Sequence, residues 1–182
     1  MPEYRRLRIN GGKYFFTVVT YKRTPLFNNS QCRSILHTAW DDTRRRFPFK
    51  TTAICLLPDH LHCIWQLPET DTNYSIRWKE IKRLFTKQFL KEIGPGAQRN
   101  ESRQKRQEAA IWQRRFWEHT IQDDEDFERH LDYIHYNPIK HGYVEKASDW
   151  KWSSFQKFVT AGVYDVDWVG GDESRIQGCD WE

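Results

Sequence analysis

The sequence predicts an α+β domain: a ferredoxin-like β-α-β-β-α-β antiparallel sheet with helices on one face and an added helix that carries a tyrosine. Three observations favour this fold class. The chain has 182 residues, enough for one domain with a hydrophobic core. Segments with strand-like alternation and segments with helix-like periodicity follow one another along it. Aromatic residues make up 15% of the chain, a share typical of a folded domain.

The first five elements have the order strand, helix, strand, strand, helix. The first strand is rich in aromatic and β-branched residues, and Asn28 or Asn29 offers an N-cap for the helix after it. A tight Pro58-Asp59 connection separates the second and third strands, which suggests a hairpin. The predicted ranges are, in order, 13–21, 29–46, 51–57, 60–67 and 72–93.

The rest of the chain completes this plan. Residues 94–110 lack apolar periodicity, so we predict a mobile, basic loop, followed by the last strand within 111–121. A helix then begins at the acidic run 123–126 and should end near Asn137, because Pro138 disfavours α geometry in the residue before it. A further short helix is predicted over 152–160.

His60 and His62 stand on one face of the third predicted strand. The alternation along this strand points Leu61, Cys63 and Trp65 to the opposite, apolar face. Two imidazoles on one strand face can bind a metal ion, although an isolated His-x-His is more often a pair of surface histidines. A zinc site that includes Cys63 is a poor alternative, because Cys63 points away from the histidines.

The helix after the acidic run carries an apolar stripe and, about a quarter-turn away, a polar stripe of His130, Tyr133 and Asn137. Tyr133 and Asn137 are four residues apart, so their side chains are neighbours. Such a pair is suited to face a metal site, and it is equally compatible with two ordinary boundary residues. Tyr136 is predicted to face water.

Composition argues against several classes of protein. No apolar run approaches the ~18 residues of a membrane span, and the N-terminus lacks the apolar segment of a signal peptide. We therefore expect a cytoplasmic protein that does not contact a membrane. The four cysteines are scattered without a Cys-x-x-Cys pair, which argues against a zinc ribbon and against a secreted disulfide framework.

The net charge is +4, and the basic residues are unevenly distributed. They cluster near the N-terminus, in the second predicted helix and at 114–115, with aromatic residues between them. This pattern is typical of a surface that contacts phosphates and stacks bases, although solvated helix faces give similar runs of charge. The segment 165–182 is instead acidic.

Six motifs along the chain together resemble those of one known family. They are Tyr4-Arg5-Arg6, Leu57-Pro58-Asp59-His60-Leu61-His62-Cys63-Ile64-Trp65, Trp78-Lys79-Glu80-Ile81-Lys82, Trp112-Gln113-Arg114-Arg115-Phe116-Trp117-Glu118-His119, Asp132-Tyr133-Ile134-His135-Tyr136-Asn137-Pro138-Ile139-Lys140-His141-Gly142 and Ser148-Asp149-Trp150-Lys151-Trp152-Ser153-Ser154. In this order they resemble the REP-associated tyrosine transposases, bacterial single-tyrosine members of the HUH nuclease superfamily. The order of the motifs makes the resemblance specific.

The resemblance implies a transposase-like, metal-dependent single-strand DNA endonuclease and strand transferase. In it, His60, His62 and Asn137 would bind Mg²⁺ or Mn²⁺, and Tyr133 would attack DNA to give a 5′-phosphotyrosine intermediate. The substrates would be hairpins of repetitive extragenic palindromes with a short flanking tetranucleotide, which are cleaved and rejoined. The nuclease domain would span 1–164, with 94–110 as a mobile insertion and 165–182 as an acidic tail, and the protein would be a monomer rather than a dimer.

The resemblance and the charge pattern together indicate candidate supporting residues. The expected DNA contacts are Tyr4, Arg5, Arg6, Arg77, Lys79, Lys82, Arg83, Arg114 and Arg115. Asp59, Glu118 and His130 could transfer protons or support the histidines, and each is as compatible with a structural role. We assign no role to His119, at a strand end, or to His135, on the far side of the tyrosine helix.

Two other functions stay open at this point. A regulatory protein could bind such hairpins without needing cleavage, although the retained His60, His62, Tyr133 and Asn137 argue against lost catalysis. An RNA-binding module could use the same ferredoxin-like plan, with aromatic residues stacking bases on the sheet. The third strand argues against it, because it carries two histidines on one face and a core-like pattern on the other.

Overall fold

A computed structural model of the protein describes residues 8–170. Tyr4, Arg5, Arg6 and the part of the acidic tail after 170 lie outside the described residues. The elements, in order, are β1 (Lys13–Val19), α1 (Ser30–Arg46), β2 (Lys50–Leu56), β3 (His60–Gln66), α2 (Tyr74–Glu92), α3 (Glu101–Lys105), β4 (Trp117–Thr120), α4 (Asp124–Lys140) and α5 (Phe155–Thr160). None of the helices within this range is long and apolar enough to cross a membrane.

The four strands form one sheet in the order β2-β3-β1-β4. Every neighbouring pair is antiparallel, with Thr17 opposite His62 between β1 and β3 and Phe15 opposite His119 between β1 and β4. The order of β1, α1, β2, β3, α2 and β4 along the chain is the ferredoxin-like arrangement. The predicted fold class is therefore confirmed.

Different helices pack against the two faces of the sheet. On one face α1 and α2 bury a large aromatic core that includes Phe16, Trp65 and Trp78. On the other face α4 packs through Leu131 and Ile134 in a smaller apolar cluster with strand residues. The helix that carries Tyr133 is thus separated by the sheet from the two helices of the ferredoxin-like unit.

Side-chain caps fix where the three long helices begin. The Asn29 side chain accepts a hydrogen bond from the backbone of Gln31, and the Asn73 side chain accepts one from Ile76. Asp123 does the same for α4, and the acidic first turn of this helix also complements the helix dipole. The predicted choice between Asn28 and Asn29 resolves to Asn29.

The predicted end of the tyrosine helix at Asn137 is wrong. The helix continues through Pro138 to Lys140. Pro138 removes only its own backbone donor, and the last turn is closed by bonds from His141 to the Asn137 carbonyl at 3.0 Å and from Tyr143 to the Pro138 carbonyl at 2.9 Å. A proline this close to the C-terminal end of a helix therefore does not terminate it. Tyr136, predicted to face water, is half-buried.

Residues 94–110, predicted as a loop, contain the short helix α3. Asn100 caps it, and the Arg103 side chain turns inward to donate to the carbonyl oxygens of Ala109 at 2.6 Å and Trp112 at 2.8 Å. The Arg103 guanidinium also lies 4.2 Å from the centre of the Tyr21 ring. The buried residue of this helix is an arginine and not an apolar residue. The segment therefore has no apolar periodicity from which the helix could be predicted.

Residues 152–154 run along the outer edge of β2. The backbone of Leu56 donates to the Trp152 carbonyl, the backbone of Ser154 donates to the Ile54 carbonyl, both at 2.8 Å, and Ser153 forms a bridge with Cys55. An edge strand with unpaired backbone groups is a template for aggregation, and this segment covers it. It also brings the aromatic C-terminal region beside β2 and β3.

Candidate active site

Three of the predicted site residues meet between β3 and α4. The centres of the His60 and His62 rings lie 4.9 Å apart. The Tyr133 ring lies edge-on to the His62 ring, with 5.2 Å between the two ring centres. The side chains of His60, His62, Tyr133 and Asn137 are almost completely buried. The alternation of β3 places both histidines on the α4 face, while Leu61, Cys63 and Trp65 belong to the core on the opposite face.

Each histidine is oriented by a hydrogen bond at its Nδ1 atom. The Nδ1 atom of His60 lies 2.6 Å from a carboxylate oxygen of Asp59, and that of His62 lies 2.8 Å from the Thr17 hydroxyl on β1. With Nδ1 engaged, Nε2 is the atom of each ring that can coordinate an ion. Asp59 in turn accepts from Arg23 at 3.2 Å. Asp59 thus contacts a histidine at the position expected of a supporting residue.

The donor atoms between β3 and α4 suit a divalent cation. Burial lowers the pKa of His62 well below its usual value. The nearby charges of His60, Lys140 and His141 lower this pKa further, and a contact with the Asn137 side chain raises it. His62 is therefore neutral near pH 7 and keeps a nitrogen lone pair. Within residues 8–170, His62 Nε2 and Asn137 Oδ1 make no hydrogen bond of normal geometry although both are buried. Buried polar atoms of this kind call for a partner, and an ion would supply one.

Tyr133 is enclosed by aromatic and basic side chains. Only 1% of Tyr133 is exposed, and the Phe15 ring lies 6.0 Å from its ring, edge-on. The Lys140 ammonium lies 5.1 Å from the centre of the Tyr133 ring, and the His141 ring lies 5.3 Å from the His60 ring. Lys140 is the exposed member of this group, so it is the one that a negatively charged ligand meets first.

Four residues at the site were missed by sequence reasoning. Thr17 reaches His62 through the pairing of β1 with β3, and Arg23 reaches Asp59 from the loop after β1. No local sequence pattern reveals either contact. Lys140 and His141 were missed because the tyrosine helix was expected to end at Asn137. The spacing of Asn137 and His141, one helical turn apart, was the available signal.

A second cluster joins β4 to α4. The His119 Nε2 atom lies 2.7 Å from one carboxylate oxygen of Asp126, and His130 Nδ1 lies 3.1 Å from the other and 2.7 Å from the Asp126 backbone carbonyl. Burial raises the pKa of Asp126, but the hydrogen bonds from His119 and from the Gln122 backbone outweigh it and the pKa is lowered.

The ligand atoms of His119, Asp126 and His130 lie within 4.8 Å of one another, close enough to be a candidate metal site. The two imidazole rings, however, stack at 4.5 Å with only 14° between their planes. The lone pairs of parallel rings do not converge on a common point, as metal coordination requires. We therefore interpret the cluster as a hydrogen-bonded link between β4 and α4. His119 and His130 both take part in it, so His130 has a structural role, one of the two alternatives left open for it.

Glu118 differs from expectation. It pairs with Phe16 of β1, so its side chain points to the α1 and α2 face, away from the histidines. His135, to which no role was assigned from the sequence, is buried, and its Nε2 atom lies 2.9 Å from the Ser154 hydroxyl. His135 thus connects α4 to the segment that covers β2.

The structure does not place all predicted DNA contacts on the surface. Only 1% of Arg77 is exposed. Its guanidinium donates to the Pro48 carbonyl at 2.6 Å and to the Asp71 carboxylate at 2.7 Å. We therefore no longer assign Arg77 to a DNA-binding surface. Lys82 is half-buried and donates to the Gln113 carbonyl at 2.9 Å, and burial lowers its pKa to about 8.

The remaining basic candidates are exposed, and they lie on two parts of the molecule. Lys79 and Arg83 are on α2, which lies across the sheet from the histidines, and Arg83 pairs with Glu80 at 2.8 Å. Arg114 and Arg115 precede β4, and Arg114 contacts a glutamate at 2.7 Å.

Comparison with known proteins places this chain in one family. The family model described as "Transposase IS200 like" matches residues 9–137, which include β1 to β4 and most of α4. A Haemophilus influenzae protein named as a candidate REP-associated tyrosine transposase is 49% identical over 178 residues, 98% of this chain and 99% of the relative. The REP-associated tyrosine transposase of Escherichia coli K12 is 42% identical over 171 residues, 93% of this chain and 92% of the relative.

A solved structure has the same architecture. It is a REP-associated tyrosine transposase bound to a REP hairpin, with a TM-score of 0.76, 41% sequence identity, and coverage of 94% of this chain and 93% of that one. The class that the fold and site define is thus the IS200-like transposases. The chain belongs, within that class, to the REP-associated tyrosine transposases.

Proposed function

We propose that this protein is a metal-dependent single-strand DNA endonuclease and strand transferase that uses Tyr133 as its nucleophile. The observation that carries the proposal is the direct ring contact of Tyr133 with His62, which in turn contacts His60. A tyrosine beside two imidazole nitrogens and an amide oxygen is the set of groups that transesterification of a phosphodiester needs. Family membership in the transposases supports the same activity.

His60, His62 and Asn137 would hold the divalent ion, through both Nε2 atoms and the amide oxygen. Imidazole and amide groups bind a cation in their uncharged forms, so a bound Mg²⁺ or Mn²⁺ would keep its full charge to polarise the phosphate. Asp59 and Thr17 engage the Nδ1 atoms of His60 and His62, which orients the two rings and leaves their Nε2 atoms for the ion. The His119, Asp126 and His130 cluster has no part in this assignment.

Tyr133 forms the covalent bond. Its phenolic oxygen attacks phosphorus, the phenol proton leaves to solvent, the bond from phosphorus to O3′ breaks, and the departing oxygen takes up a proton. The product is a 5′-phosphotyrosine and a free 3′-hydroxyl, which can reverse the attack or be replaced by another 3′-hydroxyl, so rejoining needs no ATP. Lys140, exposed above the Tyr133 ring, would pair with the incoming phosphate and uncover the ring as it does so.

The proposed substrates are hairpins of repetitive extragenic palindromes. The similar solved structure holds a REP hairpin, and the two proteins align over nearly their whole length. The exposed residues Lys79, Arg83, Arg114 and Arg115 are candidates for contacts with the phosphates of such a hairpin. Tyr4, Arg5 and Arg6 stay predicted contacts, and a monomer stays the proposed state of the protein.

The test is cleavage of a labelled single-stranded hairpin from the host's own repeats, with Mn²⁺ or with EDTA. We expect a covalent protein–DNA adduct that depends on Mn²⁺ and vanishes in Tyr133→Phe. Tyr136→Phe is the matched control, because it removes a hydroxyl from the same helix three residues away. An adduct that survives in Tyr133→Phe would overturn the assignment of the nucleophile.

A hairpin-binding regulator without cleavage is the second candidate. Tight hairpin binding by the wild type with no adduct in Mn²⁺ or Mg²⁺ would favour it. The burial of Tyr133 is the observation in its favour, because only 1% of this residue is accessible.

A further inference from the structure

A row of aromatic rings leads from the candidate active site to the surface. The His60 ring contacts the His141 ring at 5.3 Å, and the His141 ring is 5.8 Å from that of Tyr143. Tyr143 stacks on Trp150 at 5.4 Å with 25° between the planes, and Trp150 meets Trp152 edge-on at 5.1 Å. We name Tyr143, Trp150 and Trp152 the aromatic strip.

The two end members of the aromatic strip, Tyr143 and Trp152, are large aromatic residues with substantial solvent exposure. Tyr143 is 45% exposed and Trp152 is 41% exposed. Trp150, by contrast, is half-buried and donates from Nε1 to the Leu56 carbonyl at 2.9 Å. The bond of Trp152 to the edge of β2 is made by its backbone carbonyl, a group that any residue at this position would supply.

The strip is held rigid before any ligand binds. The Arg33 guanidinium lies 4.3 Å from the centre of the Trp152 ring and is itself fixed by bonds to the carbonyl oxygens of Phe27 at 2.6 Å and Asn28 at 2.9 Å. A cation over one ring face also brings positive charge to the strip, and Lys140 adds more at its inner end. Rigid aromatic rings beside positive charge are the arrangement on which single-stranded nucleic acids stack.

We propose that the aromatic strip is a stacking platform for unpaired nucleotides of single-stranded DNA, those next to the phosphate that Tyr133 attacks. The inference rests on the proposed nuclease function, because it states where the unpaired strand of that substrate lies. Stacking on aromatic rings tolerates any base, so the strip adds affinity without reading sequence. It extends the candidate active site toward β2, on the side of the molecule where Trp152 covers the strand edge.

The test measures the affinity of a labelled oligo(dT) of about 12 nucleotides, a length that spans a single-strand site. A hairpin trimmed to its paired stem is the second probe, and EDTA is present throughout to prevent cleavage. Trp152→Ala and Tyr143→Ala should each weaken oligo(dT) binding by about 10-fold and leave stem binding unchanged. Trp152→Phe should restore most of the lost affinity, because it keeps an aromatic ring.

Two controls separate stacking from other effects. Leu90→Ala removes an equally exposed apolar side chain from α2, and it should change neither affinity. The dependence of oligo(dT) affinity on salt should be the same in wild type and Trp152→Ala, because no phosphate contact is removed. Both strip variants should lose some thermal stability, since Tyr143 and Trp152 are each more than half buried and contact Trp150, so affinity is measured on protein shown to be folded.

Three outcomes would overturn the inference. They are no binding of oligo(dT) by the wild type, unchanged oligo(dT) affinity in both alanine variants, and equal weakening of oligo(dT) and stem binding. A change in sedimentation of Trp152→Ala with unchanged DNA affinity would assign the strip to contact between protein chains instead. Failure of the proposed nuclease has a different signature, which is a missing covalent adduct while oligo(dT) affinity responds to the strip variants.

Discussion

The Thr17 hydroxyl lies 2.8 Å from Nδ1 of His62, across the pairing of β1 with β3. This bond decides which nitrogen of a completely buried imidazole is available for an ion. It also means that one face of the site is built from the centre of the sheet, where neighbouring strands hold both residues. The orientation of His62 is therefore set by the fold itself rather than by a mobile loop.

Thr17→Val should weaken binding of Mn²⁺ about 10-fold while the fold is retained. Valine has the shape of threonine but cannot engage Nδ1, so the imidazole loses its fixed orientation. Isothermal titration with Mn²⁺ measures the effect. Thr43→Val is the matched control, because it deletes a buried hydroxyl that bonds to the Ala39 carbonyl on α1, far from the site. Equal affinity in Thr17→Val and wild type would contradict the orienting role.

Asp59→Asn should weaken Mn²⁺ binding at least about 10-fold, because the carboxylate that holds Nδ1 of His60 at 2.6 Å loses its charge. Arg23→Gln should cost less than about 3-fold, since the ion pair of Arg23 with Asp59 is 3.2 Å long and partly exposed. The same titration compares the two variants. A larger loss in Arg23→Gln than in Asp59→Asn would show that Arg23 acts on the ion site by another route.

Local sequence patterns were sufficient for the parts of the site that lie on one element. The alternation of β3 predicted that His60 and His62 share a face, and the spacing on α4 predicted that Tyr133 and Asn137 are neighbours; the structure brings these residues together. The fold class also followed from the order of strands and helices. These features depend on the period of each element and not on its partners.

Features that depend on how distant segments meet were not predictable in this way. Thr17 acts on His62 because of strand register, and a register is fixed only when the whole sheet forms. Arg77 belongs to a run of basic residues on α2, but its guanidinium turns back to the Pro48 carbonyl before β2. A run of charge in a sequence does not distinguish a buried arginine from its exposed neighbours.

Arg77→Gln should lower the free energy of unfolding by about 2 kcal/mol, because it removes a buried charge and leaves the Pro48 carbonyl without its donor. Its affinity for hairpin DNA, measured on folded protein, should equal that of the wild type. Lys79→Gln on the same helix should show the reverse pattern, with unchanged unfolding by urea and weaker hairpin binding. Reduced hairpin affinity in fully folded Arg77→Gln would contradict the structural role.

Stability should fall in mild acid because of His130. Burial lowers the pKa of His130 to about 4, and the charges of His119 and Arg129 lower it as well. The backbone carbonyl of Asp126 and its carboxylate act in the opposite direction. In the unfolded chain the histidine has an ordinary pKa of about 6.5 and takes up its proton first. The contribution of His130 is thus intact above pH of about 6.5 and is lost progressively as pH falls toward 4, by about 2 kcal/mol at pH 5 relative to pH 8.

His130→Asn isolates this effect, because the asparagine amide can donate to Asp126 as Nδ1 does but does not titrate. Urea unfolding at pH 8 and pH 5 should show a stability loss that is smaller in His130→Asn than in the wild type by about 2 kcal/mol. His37→Asn, which changes an exposed histidine on α1, should lose as much stability as the wild type. If His130→Asn and wild type lose the same amount, the acid sensitivity arises elsewhere, and the link between β4 and α4 contributes equally at both pH values.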